Sequence, residues 1–205
     1  MAESPDGAPK PPHRARSQVA VLFGVAVFVL AADAISKVIV VGQLSHHPPV
    51  RLLGGLLTLR LIRNSGAAFS LGTSLTVVFT AIAVGVIIFI LRTARRLRSL
   101  PWAITLGLLL GGATGNLADR IFRAPGPMRG DVVDWIQLPH WPVFNLADSA
   151  IVCGGVLAVL LAVRGLRLDG TVDQGRRREP PDQSGSADHI SQASPGQASQ
   201  PHPAD

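Results

Sequence analysis

Four apolar runs, separated by stretches that carry most of the charge, set the pattern of this chain: Ser17 to Val41, Leu75 to Leu91, Pro101 to Leu117 and Leu146 to Val163. Each approaches or exceeds the roughly 20 residues that take an α-helix across a bilayer. The pattern predicts an all-α polytopic membrane protein, a four-transmembrane-helix bundle. Between the first two runs, Leu57-Thr58-Leu59-Arg60-Leu61 alternates apolar and polar positions before Asn64-Ser65-Gly66, as a short strand entering a turn does. Asp131-Val132-Val133-Asp134-Trp135-Ile136 reads as a second strand, so a small extracytoplasmic β element is expected to rest on the bundle. With a period of two, Asp131 and Asp134 point to opposite faces.

The ends follow a different rule. Residues 1–16 and 169–205 are rich in Pro, Gly, Ser, Gln and charge and too poor in apolar residues to build a core, which predicts two disordered cytoplasmic tails around one membrane domain over 17–168. The overall composition, 47% hydrophobic and 16% charged, belongs with membrane proteins. Lys and Arg set the orientation. Lys10, Arg14 and Arg16 precede the first run, Arg92, Arg95, Arg96 and Arg98 fill the short connection after the second, and Arg164, Arg167, Arg176, Arg177 and Arg178 follow the fourth. Both termini are therefore expected in the cytoplasm, with Trp102 at the inner interface and Trp135 and Trp141 at the outer. The first run continues through Asp33 and Lys37 without a small-residue cleavage pattern, so it reads as a retained span rather than a signal peptide. The net charge of +6 suits anionic lipid headgroups; nothing interleaves basic and aromatic residues as a nucleic-acid platform would. The lone cysteine, Cys153, falls within the fourth run and reads as a packing residue.

Only Asp33, Asp119, Asp131, Asp134 and Asp148, of 13 acidic residues, lie between the tails, all in or beside apolar segments. An ionisable group at membrane depth costs at least ~2.5–3.5 kcal/mol, so such a set marks a functional site. Asn116, Asp119 and Arg120 follow one another at helical spacing, as do Asp33 with Lys37 and Asn145 with Asp148. Ala103, Gly107, Gly111 and Gly115 recur every four residues and offer a smooth face to a neighbouring helix. Topology brings the polar groups to one level at the outer ends of the spans. Local readings stay open for each: an intrahelical ion pair for Asp33 and Lys37, an N-cap for Asn145 and Asp148, surface charges for Asp131, Asp119 and Arg120. Spacing does not choose among Asp134, Asp131 and Asp119.

Paired carboxylates at one site point to acid/base chemistry. The rival class is a small proton-coupled carrier with Asp33, Lys37, Asp119 and Asp148 as a relay, but a relay needs polar groups spread across the bilayer and the inner halves of the later spans are apolar. His46, His47 and His140 lack metal-ligand spacing, so neither metal nor cofactor is expected. Ser70, Ser149 and Cys153 have no neighbouring base, and no GxSxG occurs.

Five ordered motifs carry a family resemblance: Asp33-Ala-Ile-Ser-Lys37, Asn64-Ser-Gly66-Ala67-Ala68-Phe69-Ser70, Gly111-Gly112-Ala113-Thr-Gly115-Asn116-Leu-Ala-Asp119-Arg120, Val132-Val133-Asp134-Trp135-Ile136 and Phe144-Asn145-Leu-Ala147-Asp148-Ser149. With them the chain resembles the lipoprotein signal peptidases (signal peptidase II), aspartic peptidases of bacterial membranes. Ala34 stands where the family often has Gln, and Trp135 where Phe is more usual. The resemblance implies a membrane endopeptidase that cleaves diacylglyceryl-modified prolipoproteins just before the lipidated cysteine, with Asp134 and Asp148 as the catalytic pair. It also implies that Asn64, Gly66, Asn116, Arg120, Asn145 and Ala147 line or brace the site and that Asp33, Lys37 and Asp119 support it. The expected setting is a monomer among membrane lipids in the bacterial plasma membrane, acting near the outer face.

Overall fold

A computed structural model describes residues 13–66 and 73–172. Among these, the chain forms helix α1 (His13–Leu44), strand β1 (Val50–Leu52), a single 3-10 turn (Leu53–Gly55), strand β2 (Leu57–Asn64) and helix α2 (Thr73–Ala94). Helix α3 (Leu100–Phe122), strand β3 (Val132–Gln137) and helix α4 (Leu146–Val163) follow. Within the described residues, four helices are long and apolar enough to cross a membrane: Ser17–Leu44, Thr76–Ala94, Leu100–Phe122 and Leu146–Val163. The fourth span keeps its expected limits, whereas α3 continues past Leu117 to Phe122. Its extra turn carries Asp119 and Arg120 into the bundle interior, where both are buried. Ordered structure also reaches beyond 17–168 at both ends. Helix α1 starts at His13, and after α4 a bridge joins Leu166 to Val172. The rest of both predicted tails, and Ala67 to Ser70 of the second motif, lie outside the described residues.

Helix α3 is the centre of the bundle. Half of its spanning window is buried, against 17–22% for the other three spans, and it packs on all of them. Small residues make this close approach possible. A Cβ on Gly107 would lie 2.8 Å from the Leu22 carbonyl, and one on Gly111 2.7 Å from the Ala26 carbonyl, so α1 runs alongside backbone to backbone. On the other side of α3, a Cβ on Gly112 would meet the Ala147 carbonyl at 2.5 Å, which brings in the start of α4. The remaining faces are exposed and apolar, as at Phe28, Ile35, Val38, Val152, Val156 and Val159, and suit lipid.

The two ends of the bundle differ in content. Toward the chain termini, Leu22, Ala26, Ile90, Ala94, Leu97, Leu106 and Leu110 form an apolar core. A clasp seals this end: Leu168 O accepts from Arg98 N and Ser99 N, and Leu166 O accepts from Trp102 Nε1 at 2.8 Å. Toward the sheet, the buried residues turn polar, with Asp33, Lys37, Asp119, Asp134 and Asn145 among them.

The sheet is antiparallel with the order β1-β2-β3. Pairing sets Ile62 opposite Asp134 and Asn64 opposite Val132, with an irregularity between Leu59 and Ile62 that re-aims the end of β2. Asn64 and Asp134 therefore share a face. Strand β1 and its 3-10 turn carry no alternating signal; three exposed residues pair with β2, and Gly54 and Gly55 supply the left-handed backbone the turn requires. Beyond β3, Phe144 bridges back to Ile136 and so delivers Asn145 to the start of α4.

Candidate active site

The site is organised by Asn145. Its extended backbone ends the approach to α4, its Oδ1 accepts from Asp148 N at 2.9 Å, and Asp148 Oδ2 accepts in return from Asn145 N at 3.2 Å. This is a capping box with Asp in the third helical position. The cap residue then does something a cap does not require, donating from Nδ2 to Asp134 Oδ1 at 2.7 Å and to Asn116 Oδ1 at 3.2 Å. One asparagine thus stands between Asp134 and Asp148.

Two further asparagines complete the pattern. Asn116 Nδ2 donates to Asp148 Oδ1 at 2.7 Å, and Asn64 Nδ2 donates to Asp134 Oδ2 at 2.8 Å. Each amide oxygen also has a donor: Gly66 N for Asn64, Asp148 N for Asn145, and Lys37 Nζ with Asn145 Nδ2 for Asn116. Those donors fix which way each amide faces, because a flipped amide would set N–H against N–H. All three NH2 groups are consequently aimed at the two carboxylates. Gly66 closes the Asn64 turn at a φ of 82°, in the left-handed region that favours glycine.

A second layer holds the pair in place. Lys37 Nζ lies 2.7 Å from Asp33 Oδ2 and 2.8 Å from Asp119 Oδ2, with all three side chains buried. Asp33 Oδ1 accepts from Ala147 N at 3.0 Å, and Asp119 Oδ2 accepts from Val133 N at 3.1 Å. Ala147 and Val133 are the residues just before Asp148 and Asp134. The Asp33–Lys37–Asp119 group therefore grips the backbone immediately ahead of each aspartate, tying α1, α3, β3 and α4 into one frame. Arg123 Nε pairs with the other oxygen of Asp119. This partner was not singled out in the sequence, although its spacing of four from Asp119 on a helix was the available signal.

The two aspartates sit in different surroundings. Asp134 is 2% exposed, and burial pushes its carboxyl up from the ordinary range to about 6, helped by the like charge of Asp148; bonds from Asn64 and Asn145 act in the opposite direction. Asp148 opens onto a cleft of about 390 Å3 together with Asn64, Gly66, Asn116 and Arg120. Below them the cleft walls are apolar, formed by Phe79, Ile82 and Val86 of α2, Leu109 and Ala113 of α3 and Ile151 of α4. Apart from Ala113, which falls in the third motif, these wall residues left no mark in the sequence beyond general hydrophobicity. Arg120 is buried, with its guanidinium 5.9 Å from the centre of the Phe79 ring.

Asp33, Lys37, Asn64, Gly66, Asn116, Asp119, Arg120, Asp134, Asn145, Ala147 and Asp148 thus meet in one place. Asp131 is outside this hydrogen-bond network: it precedes β3, its backbone N–H bonds to Ala124 O, and it reaches the site only through its charge on Arg120. Among the described residues no group of three or more His, Cys, Asp and Glu is arranged to hold a metal ion.

Comparison with known proteins agrees with this layout. A family described as signal peptidase (SPase) II matches residues 25–164, which run from within the first span to the end of the fourth and include the whole site. The chain belongs to the signal peptidase II family. It is 59% identical over 159 residues to a lipoprotein signal peptidase of Streptomyces coelicolor, covering 78% of each chain. Identity is 49% over 169 residues to that of Rhodococcus jostii, covering 82% of this chain and 85% of the relative, and 50% over 162 residues to that of Mycobacterium tuberculosis H37Rv, covering 79% and 78%. A bacterial membrane enzyme solved by the in meso method at 1.9 Å superposes with a TM-score of 0.63 and 25% identity, covering 71% of this chain and 94% of its own. A second, at 2.3 Å, gives 0.62 over 70% and 88% at the same identity. Membership makes the chain a peptidase, and its four apolar helices make it a multi-pass protein of the bacterial membrane.

Proposed function

We propose that this chain removes the signal peptide from diacylglyceryl-modified prolipoproteins, cleaving before the lipidated cysteine with a water activated by Asp134 and Asp148. The observation that carries the reading is the bridge of Asn145: one side chain binds Asp134 and the backbone of Asp148 while neighbouring amides orient both carboxylates. Two acids held so near cannot readily both ionise, and they titrate as a unit. Burial favours the proton on Asp134, which leaves Asp148 to act as the base. Asp148 takes a proton from the water as that water attacks the scissile carbonyl, and Asp134 donates its proton to the developing oxyanion. The Asn64, Asn116 and Asn145 amides hold both groups in this geometry, and the Asp33–Lys37–Asp119 frame fixes the distance between their backbones. No step calls for a metal.

The apolar cleft beside Asp148 lets a lipid-anchored substrate approach from the bilayer, which concentrates it at the depth of the acids. The basic connection Arg92 to Arg98 supports cytoplasmic termini and a site near the outer face. A carrier relay finds little support, since the polar cluster ends against the apolar core at the other end of the bundle. The direct test is incubation of the purified protein with a lipid-modified precursor. Release of the leader at the bond before the modified cysteine is expected, with full activity in the presence of a chelator; an intact precursor, or metal-dependent cleavage, overturns the proposal.

A further inference from the structure

We propose that Arg120 binds the ester carbonyl oxygens of the lipid on the substrate's cysteine, so that this guanidinium is the group by which the cleft distinguishes a lipidated precursor from an unmodified one. The inference rests on the peptidase reading above and adds a role for one residue within it.

Arg120 is only 9% exposed, and its Nη1 is buried with no hydrogen-bond partner among the described residues. A buried charged donor left unmet is costly, and sites that keep one have a use for it. Asp134, Asp131, Asp148 and Asp119 all lie near enough to act on its charge, yet none accepts a hydrogen bond from this Nη1. Asp148, on the same cleft, has its oxygens engaged by Asn116 and by the Asn145 backbone, and Asp134 has both oxygens engaged by Asn64 and Asn145. The Phe79 ring covers one face of the guanidinium, which leaves the in-plane N–H groups as its means of contact. Arg120 also lines the cleft itself.

A guanidinium carries donors and no acceptor, so its complement must bring acceptor oxygens. Away from the polar end, the cleft continues between apolar walls, from Phe79 and Ile82 to Leu109 and Ile151, where an amide N–H would meet only hydrocarbon. An ester meets both conditions. It presents a carbonyl acceptor, brings no donor that needs a partner, and continues into an acyl chain that suits the apolar wall. A peptide carbonyl would bring its N–H along.

The test compares two precursors that differ only in the lipid linkage, one with acyl esters and one with ethers that lack the carbonyl oxygens. Cleavage is followed with the full chain in lipid bilayers. With the parent protein, the ether precursor should lose roughly tenfold to a hundredfold in kcat/KM, mainly through KM, as expected for one charge-assisted hydrogen bond. Arg120→Gln should show a loss of similar size on the ester precursor and no further loss on the ether one. Arg120→Lys, which keeps the charge without the planar fork, should fall between. Equal cleavage of both precursors by the parent overturns the assignment, and so does an Arg120→Gln loss that is the same for both. If Arg120→Gln does not fold, the ester-to-ether ratio of the parent decides alone. Failure of the parent to cleave the ester precursor at all would instead sink the peptidase reading.

Discussion

Replacing Lys37 by Met should be the most damaging single change outside the aspartate pair, and the structure allows its size to be worked out. Asp33, Lys37, Asp119 and Arg123 together carry no net charge. Lys37 binds both carboxylates at 2.7 and 2.8 Å, and Arg123 pairs only with Asp119. The Lys37→Met change would leave Asp119 with Arg123 but Asp33, 1% exposed, with no cation at all. Removing one member of a buried ion pair costs about 3–5 kcal/mol because the survivor stays desolvated. Asp33→Asn added to Lys37→Met removes that stranded charge while keeping an oxygen for Ala147 N. The double variant should recover at least about 2 kcal/mol of the loss, since the cost lies in the unpaired charge rather than in lost packing. The assay is unfolding of purified protein in detergent, run beside cleavage of a lipid-modified precursor. Stability within about 1 kcal/mol of the parent for Lys37→Met, or a double variant no better than the single one, would refute the frame as described.

Other outcomes follow from the same geometry. Gly112→Ala should cost about 1–3 kcal/mol by pushing the Ala147 backbone away from α3, and turnover should drop with it, because that backbone carries Asp148. Gly155→Ala, with open space around the new methyl, should unfold at or slightly above the parent's temperature. The raised pKa of Asp134 has a signed consequence for pH. The folded state holds this proton more tightly than the unfolded chain, so the contribution is fully present below the ordinary pKa of 3.8 and is lost as pH rises through about 6. The shift corresponds to about 3 kcal/mol across that window. Asp134→Asn should abolish this slope in the unfolding profile between roughly pH 4 and 6; an unchanged slope in the variant would place the proton elsewhere.

Much of this layout is legible in the sequence, for reasons that can be named. Run lengths find the spans because the bilayer demands them, and the small-residue series from Ala103 to Gly115 marks a close helix contact because only small side chains permit it. The Asn145–Asp148 cap is local and so readable from two residues. What escapes is set by tertiary structure. Lys37 meets Asp119 across 82 positions only because α1 and α3 run side by side, so the sequence suggests an Asp33–Lys37 pair and not a three-way frame. Asp134 differs from Asp131 through a strand register that sets it opposite Ile62 and beside Asn64, information that alternation does not contain. Strand β1 escapes for the same reason, since its three residues become a strand only by pairing with β2. The apolar run stops at Leu117 although the helix goes on to Phe122, because the charges of that last turn are satisfied by partners that only the fold supplies.

Single-turnover cleavage of a lipid-modified precursor by Asp134→Asn and by Asp148→Asn, each first shown to unfold cooperatively like the parent, tests the proposed pair most directly. Each variant should lose at least about a thousandfold, and the two losses together should be far from additive, because the carboxyls act on one water as a unit. Asp131→Asn should cleave at nearly the parental rate. Retention of more than a few per cent of activity by either Asp134→Asn or Asp148→Asn, or a loss at Asp131 as large as theirs, would contradict the assignment.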